Sequence, residues 1–177
     1  FFFFQEIENF IESNTEETVY LDYKKWNYFL TRENGKADYD KHKNDLPGDI
    51  CQFLNTFGGY LIIGADYNKH KLSLPGVDLT ERQASKSGRT IEDDINLELY
   101  KLLLNRIRPN IPPSIKARII ELPNHNNKSI IIIDIPEGPQ KLYACKDKEN
   151  GPWVHYNRGE KEKIPMDRDS IKWGYLE

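Results

Sequence analysis

"FLNTFGGYLIIGADYN", residues 53 to 68, holds a helix end, a turn and a strand start in one short stretch. Ile50, Phe53, Leu54 and Phe57 recur at helical spacing, and Gly58 makes a C-terminal stop because glycine enters the left-handed region at little cost. The following "YLIIGA" is too short for another helix and rich in β-formers, which predicts a central strand. Asn55 and Thr56 are placed to satisfy loose backbone groups at the junction, a structural role rather than a chemical one. The apolar run then ends on Asp66, where a carboxylate needs a reason.

Upstream, "EETVYLDYKKW" alternates Val19, Leu21 and Tyr23 with Thr18, Tyr20, Asp22 and Lys24, the pattern of a strand with one polar face. Ile7, Phe10 and Ile11 predict an amphipathic helix over residues 3–13. Residues 30–44 read as an exposed, charge-rich excursion, and the helix in "DLPGDICQFLNTF" is expected to begin with Pro47 in its first turn.

Downstream, "YNKHK" reads as a turn and "LSLPGVDL" as a short partner strand and loop, followed by a polar, irregular stretch over 79–90. Thr90 and Asp93 form a capping pair that opens a helix to about Asn105, with Ile91, Ile95, Leu99, Leu102 and Leu103 as its buried stripe. "RPNIPPS" is expected to end that helix by proline. "IKARIIEL", a turn at "PNHNN", and "SIIIIDI" predict two strands. The isoleucine run of the second suits burial on both faces, in the interior or at a contact within a homo-oligomer. "KLYACK" and "WVHYN" read as strands, Gly159 with "EKEK" as a turn, and a short helix is expected near Met166. The expectation is a single-domain α+β fold, a mixed β-sheet with flanking helices, spanning residues 1–177.

The totals are consistent with this. A chain of 177 residues can bury one proper core. No apolar run approaches the roughly 20 residues of a bilayer span, so no membrane role is expected. Phe1 to Phe4 lack the basic flank and cleavage site of a signal peptide. The chain does not begin with Met, which suggests the N-terminal part of something longer. Cys51 and Cys145 lack metal-site spacing and read as reduced thiols of a cytoplasmic protein. A net charge of -3 means that any nucleic-acid binding needs a local basic face, or metal ions screening acidic residues.

Asp66 leaves the C-terminal end of the expected central strand, Asp22 lies on the polar face of the earlier strand, and Glu17 lies just outside it. If those strands are neighbours, the three carboxylates can converge, and clustered carboxylates need protons or a cation. Mg or Mn suits such oxygen ligands and would support phosphodiester hydrolysis. Lys24, on the same face as Asp22, suits stabilising a phosphate in the transition state. On composition alone, solvated or salt-bridged acids are the plainer reading.

"IENFIESNTEETVYLDYKK", "ICQFLNTFGGYLIIGAD" and "LPGVDL" together resemble the Schlafen AlbA-like domain family, with Asn55-Thr56-x-Gly58-Gly59 as the most specific part. "RIRPNIPP", "SIIIIDIPEGPQKLY" and "WVHYNRG" are similar to the family's closing segment. The resemblance implies a nucleic-acid-binding domain. Some members are endoribonucleases acting on structured RNA through three acids, which by position would be Glu17, Asp22 and Asp66. The strand acid here is Asp22 where catalytic members have Glu. Other members are DNA-binding parts of regulators, so the resemblance also allows a non-catalytic DNA- or RNA-binding module of a transcriptional regulator or defence protein.

Basic groups flank the acids. Lys25, Lys41-His42-Lys43 and Lys69-His70-Lys71 could track a phosphate backbone, with Trp26 or Tyr67 as a stacking surface. "KSGRT" enters a helix, where Lys86 and Arg89 would favour an anion. Arg106 and Arg108 are expected to offset a helix dipole. His125 reads as exposed. His155 reads as a packed strand residue, the alternative being that it faces the site beside Arg158, which is expected to contact nucleic acid. No Ser-His-Asp or Cys-His arrangement is recognisable. The expected function is a nucleic-acid-processing domain that cuts RNA in preference to DNA. Its rivals are a pure binding module and a protein-interaction domain.

Overall fold

A computed structural model describes residues 13, 16–25, 28–29, 36–80, 88–122, 128–140 and 142–174, with backbone only for 36–43 and 173. Residues 3–12 of the expected helix, Trp26, Lys86, His125 and the side chains of Lys41, His42 and Lys43 lie outside the described residues.

The described strands and helices run β1 (Leu21–Lys24), α1 (Lys36–Leu54), β2 (Gly59–Ile63), β3 (Asp66–Asn68), β4 (Lys71–Ser73), β5 (Val77–Asp78), α2 (Ile91–Arg106), β6 (Ile107–Arg108), β7 (Lys116–Glu121), β8 (Lys128–Ile135), β9 (Ala144–Cys145), β10 (Val154–Arg158), β11 (Lys163–Pro165) and α3 (Arg168–Gly174). The fold is α+β, as expected. In the main sheet β2 is central, parallel to β1 on one side and antiparallel to β8 on the other. β7 and β5 also pair with β8. A smaller sheet has the order β11-β10-β9-β6, and β3 and β4 form a separate hairpin.

Period-two alternation decides what each face of the main sheet buries. Leu61 and Ile63 of β2 and Ile131, Ile133 and Ile135 of β8 point into a core shared with Ile50, Phe53 and Leu54 of α1 and Ile95, Leu99 and Leu103 of α2. Ile62, Ile130 and Ile132 point the other way, into a second cluster with Leu21, Tyr23 and Leu72. The isoleucine run is therefore interior on both faces. At about 1.5–3 kcal/mol for each fully buried side chain, it is a principal source of stability.

α2 begins as read, with a capping box in which Thr90 Oγ1 accepts from the Asp93 amide (3.1 Å) and Asp93 Oδ2 accepts from the Thr90 amide (2.9 Å). Its polar side also protects a sheet edge. Asn96 receives the Ala117 amide and donates to the Ala117 carbonyl, both at 2.8 Å, and Glu92 Oε2 receives the Ile119 amide at 2.8 Å. Side chains thus occupy the outer backbone groups of β7, which would otherwise invite another strand.

Three expectations change. First, α1 starts at Lys36, inside the supposed excursion, and Pro47 lies well within it. Ala and Lys are good helix formers, so this end of the helix carries no apolar periodicity to announce it. Second, β2 stops at Ile63. Gly64, with φ of 88°, turns the chain, and Asp66 opens the β3–β4 hairpin instead of ending the central strand. Third, α2 is ended by the extended residues of β6, before Pro109 is reached.

Candidate functional site

The register of β1 builds the site. Asp22 lies beside Leu61 and Lys24 beside Ile63, so both point to the α1 side of the sheet, while Leu21 and Tyr23 enter the second cluster. The polar face read from the alternation is real, but it turns inward to α1.

There it meets Asp49 and Gln52 of α1, Arg158 at the end of β10, and Lys163 of β11. Asp22 Oδ2 lies 3.0 Å from Lys24 Nζ and 3.2 Å from an Arg158 guanidinium nitrogen. Lys24 Nζ is 4.0 Å from Asp49 Oδ2, Lys163 Nζ is 3.3 Å from Asp49 Oδ1, and the Tyr28 hydroxyl donates to Asp49 at 2.6 Å. Charges alternate along the line Arg158, Asp22, Lys24, Asp49, Lys163. Asp22 and Arg158 are buried, and pairing offsets the desolvation that burial imposes. Burial works against the Lys24 ammonium, but the charges of Asp49 and Asp22 outweigh it and hold its pKa above the ordinary lysine value.

Arg158 was expected to face nucleic acid. Instead its guanidinium donates to the backbone oxygens of Thr18 (3.2 and 3.3 Å) and Leu21 (2.9 Å) and to Gln52 Oε1 (3.5 Å), over the Phe53 ring. It ties β10 to β1 and α1, and no donor is left facing solvent.

Glu17 lies at the edge of this network. Burial first, then the negative charge of Asp22, raise its pKa, against the pull of the Tyr23 amide, Arg158 and Lys24. Asp66 is partly exposed, its Oδ2 3.6 Å from Lys25 Nζ. The oxygen ligands suit Mg or Mn in kind. As they stand, Asp22 Oδ2 contacts Lys24 and Arg158, and Asp66 pairs with Lys25, so an ion there would have to displace these cations. Among the described residues, no three Asp, Glu, His or Cys groups are gathered as a metal site.

The other basic residues divide. Lys69, His70 and Lys71 are exposed at the β3–β4 turn. Lys69 and His70 both have left-handed backbone (φ 50° and 60°), the geometry of a two-residue hairpin turn. His70 Nδ1 lies 3.6 Å from Glu16 Oε1, and Lys161 of the β10–β11 turn lies 2.8 Å from Glu16 Oε2. The hydrogen bond from Lys161 is the main cause that pulls Glu16 down to about 2. Arg89 pairs within its own helix start. It lies 3.7 Å from Asp94, and the first turn of α2 already holds Glu92, Asp93 and Asp94. Arg106 donates to the Lys146 carbonyl (3.4 Å) and to Asn44 (3.3 Å), a tie between segments.

Asn55 serves distant strands, not only its own junction. It donates to the carbonyls of Tyr143 (2.7 Å) and Tyr156 (2.9 Å) and accepts from the Tyr143 amide (2.6 Å). Thr56 caps the helix locally at the Gln52 carbonyl, 2.9 Å. Cys51 and Cys145 are free and buried. The Cys51 sulfur first, then burial, push the Cys145 thiol far above its usual value, so it is no nucleophile at neutral pH.

Sequence reading missed Asp49, Gln52, Tyr28 and Lys163. A signal existed for two of them: Asp49 and Gln52, three apart in "GDICQF", are the polar interruption of an apolar helix.

No curated protein matches the chain significantly. The family model described as "Schlafen, AlbA_2" matches residues 17–167, from Glu17 through both sheets to the segment before α3. That span contains every element of the network, and the chain belongs to the Schlafen AlbA_2 family.

Proposed function

We propose that this domain binds nucleic acid through the β3–β4 hairpin, with Lys25 beside it. Family membership points to a nucleic-acid-related role. The observation that carries the finer reading is the turn itself. Two-residue turns of this geometry favour Asn-Gly, because other residues in left-handed backbone cost about 1 kcal/mol each. This chain puts Lys69 and His70 there and Lys71 next, all exposed. Backbone strain kept for the sake of cations suits a phosphate contact. Unpaired buried thiols suit a reducing, cytoplasmic setting.

The test is binding of single-stranded and duplex RNA and DNA across a salt series. The wild type should lose affinity steeply with salt, and Lys69→Ala/Lys71→Ala should flatten the slope by about 1–2. An unchanged slope in the variant would refute the hairpin's role.

A second reading, endonucleolytic cutting of RNA with Mg or Mn at Glu17, Asp22 and Asp66 and with Lys24 assisting, draws on the mutual repulsion of Glu17 and Asp22. It requires Asp22 to exchange Lys24 and Arg158 for an ion. It predicts cutting that EDTA abolishes and Asp66→Ala removes while binding persists. Absence of cutting with either metal would leave binding as the function.

A further inference from the structure

The outer face of the smaller sheet carries a groove that the hairpin reading does not use. Arg108 pairs with Ala144, and Ala144 pairs with His155, so these three side chains stand in one row across β6, β9 and β10. Ile107 and Cys145, one position away, face the core instead. Two residues along on each side, the same face adds Leu142 and Lys146 from the β9 segment and Trp153 from the β10 segment.

The small Ala144 side chain leaves a trough between its larger neighbours. The resulting open cavity is about 860 Å3, lined by these face residues other than Lys146, together with Leu104, Asn110 and Gln140. Lys146 reaches it only at the Trp153 ring. That lies within the roughly 300–1,000 Å3 of small-ligand sites. Leu104, 47% exposed, lends it an uncovered apolar wall.

Its chemistry is specific. The Arg108 guanidinium lies 4.5 Å and the Lys146 ammonium 4.8 Å from the centre of the Trp153 ring. Neither cation has a carboxylate within ion-pair distance among the described residues. An aromatic ring with two carboxylate-free cations, beside an apolar wall and the amides of Asn110 and Gln140, complements a ligand that joins a flat aromatic ring to an anionic group. A nucleotide meets that description. An acidic peptide supplies the charge without the flat ring.

We propose that this groove holds one nucleotide of a single strand, its base displacing the Arg108 guanidinium from the Trp153 ring and lying against the Leu104–Leu142 wall, and its phosphate on the released guanidinium with Lys146 nearby. The inference rests on the nucleic-acid reading, and places a second contact on a different sheet from the hairpin.

The test is binding of short single-stranded oligonucleotides, and of duplexes of equal length, to the full chain. Trp153→Ala should weaken single-strand binding roughly tenfold or more, as loss of a stacked base does, and leave duplex binding nearly unchanged. Trp153→Phe should retain most of the affinity. Arg108→Ala/Lys146→Ala should make the single-strand salt slope shallower by about 1.4. Thermal unfolding of each variant reports whether it is folded. The Phe variant keeps the proposal falsifiable if the Ala variant unfolds: affinity falling as far with Phe as with an unrelated surface change would refute stacking. Wild-type binding that none of these changes alters would overturn the groove and leave the hairpin reading standing. Binding to no nucleic acid at all would overturn both. An acidic peptide that protects Trp153 from fluorescence quenching, where oligonucleotides do not, would replace the nucleotide as occupant.

Discussion

Arg158 is the residue on which most of the site depends. Its guanidinium serves backbone oxygens on both sides of Tyr20, a glutamine and an aspartate, all out of water. Arg158→Leu should cost about 3–5 kcal/mol in denaturant unfolding, because Asp22 is then left buried with Lys24 alone. Arg158→Lys should recover little, since an ammonium cannot span the same forked set of acceptors. Glu17 makes an opposite prediction. Its folded pKa is raised, so the ionised form is penalised above that pKa and the penalty vanishes as pH falls below the unfolded value. Glu17→Gln should therefore raise the melting temperature at pH 7 and show no gain near pH 4. A gain that persists at low pH would contradict the assignment. At this scale the sequence showed which residues carry charge and that Asp22 and Lys24 share a face. It did not show that the face is internal, because Arg158 and Lys163 reach it from the far end of the chain.

The elements around Asn55 link the two sheets. Asn55→Ala should cost about 3 kcal/mol, since it strips partners from the Tyr143 amide and carbonyl and the Tyr156 carbonyl, and equilibrium unfolding measures it. Gly58 has φ of 70°, and a Cβ there would come within 2.6 Å of the Glu137 amide and the Ile135 carbonyl, so Gly58→Ala should prevent normal docking of β2. This junction was legible because helix stop, turn and strand lie within a few residues and each has its own chemical signature. The same holds for the α2 cap and for β8. The first turns of α1 were not legible, because a solvated, charged helix end has no apolar period. The turn back after Gly64 was hidden too, because Ala65 carries the apolar run of β2 past the turn as far as Asp66. Asp66 consequently lies one element further on than its spacing suggested.

Over the whole molecule, a net charge of -3 means that nucleic-acid affinity has to come from local groups, and the described cations are interleaved with acids such as Glu16, Asp66 and Glu160. The Lys69–His70 turn is where a local sacrifice in stability is visible, so function and stability should pull in opposite directions there. The most direct measurement is thermal stability and nucleic-acid affinity on one variant, Lys69→Asn/His70→Gly. The account predicts unfolding stability higher by about 1 kcal/mol and weaker binding with a shallower salt dependence. Binding that is undiminished in the stabilised variant would contradict it.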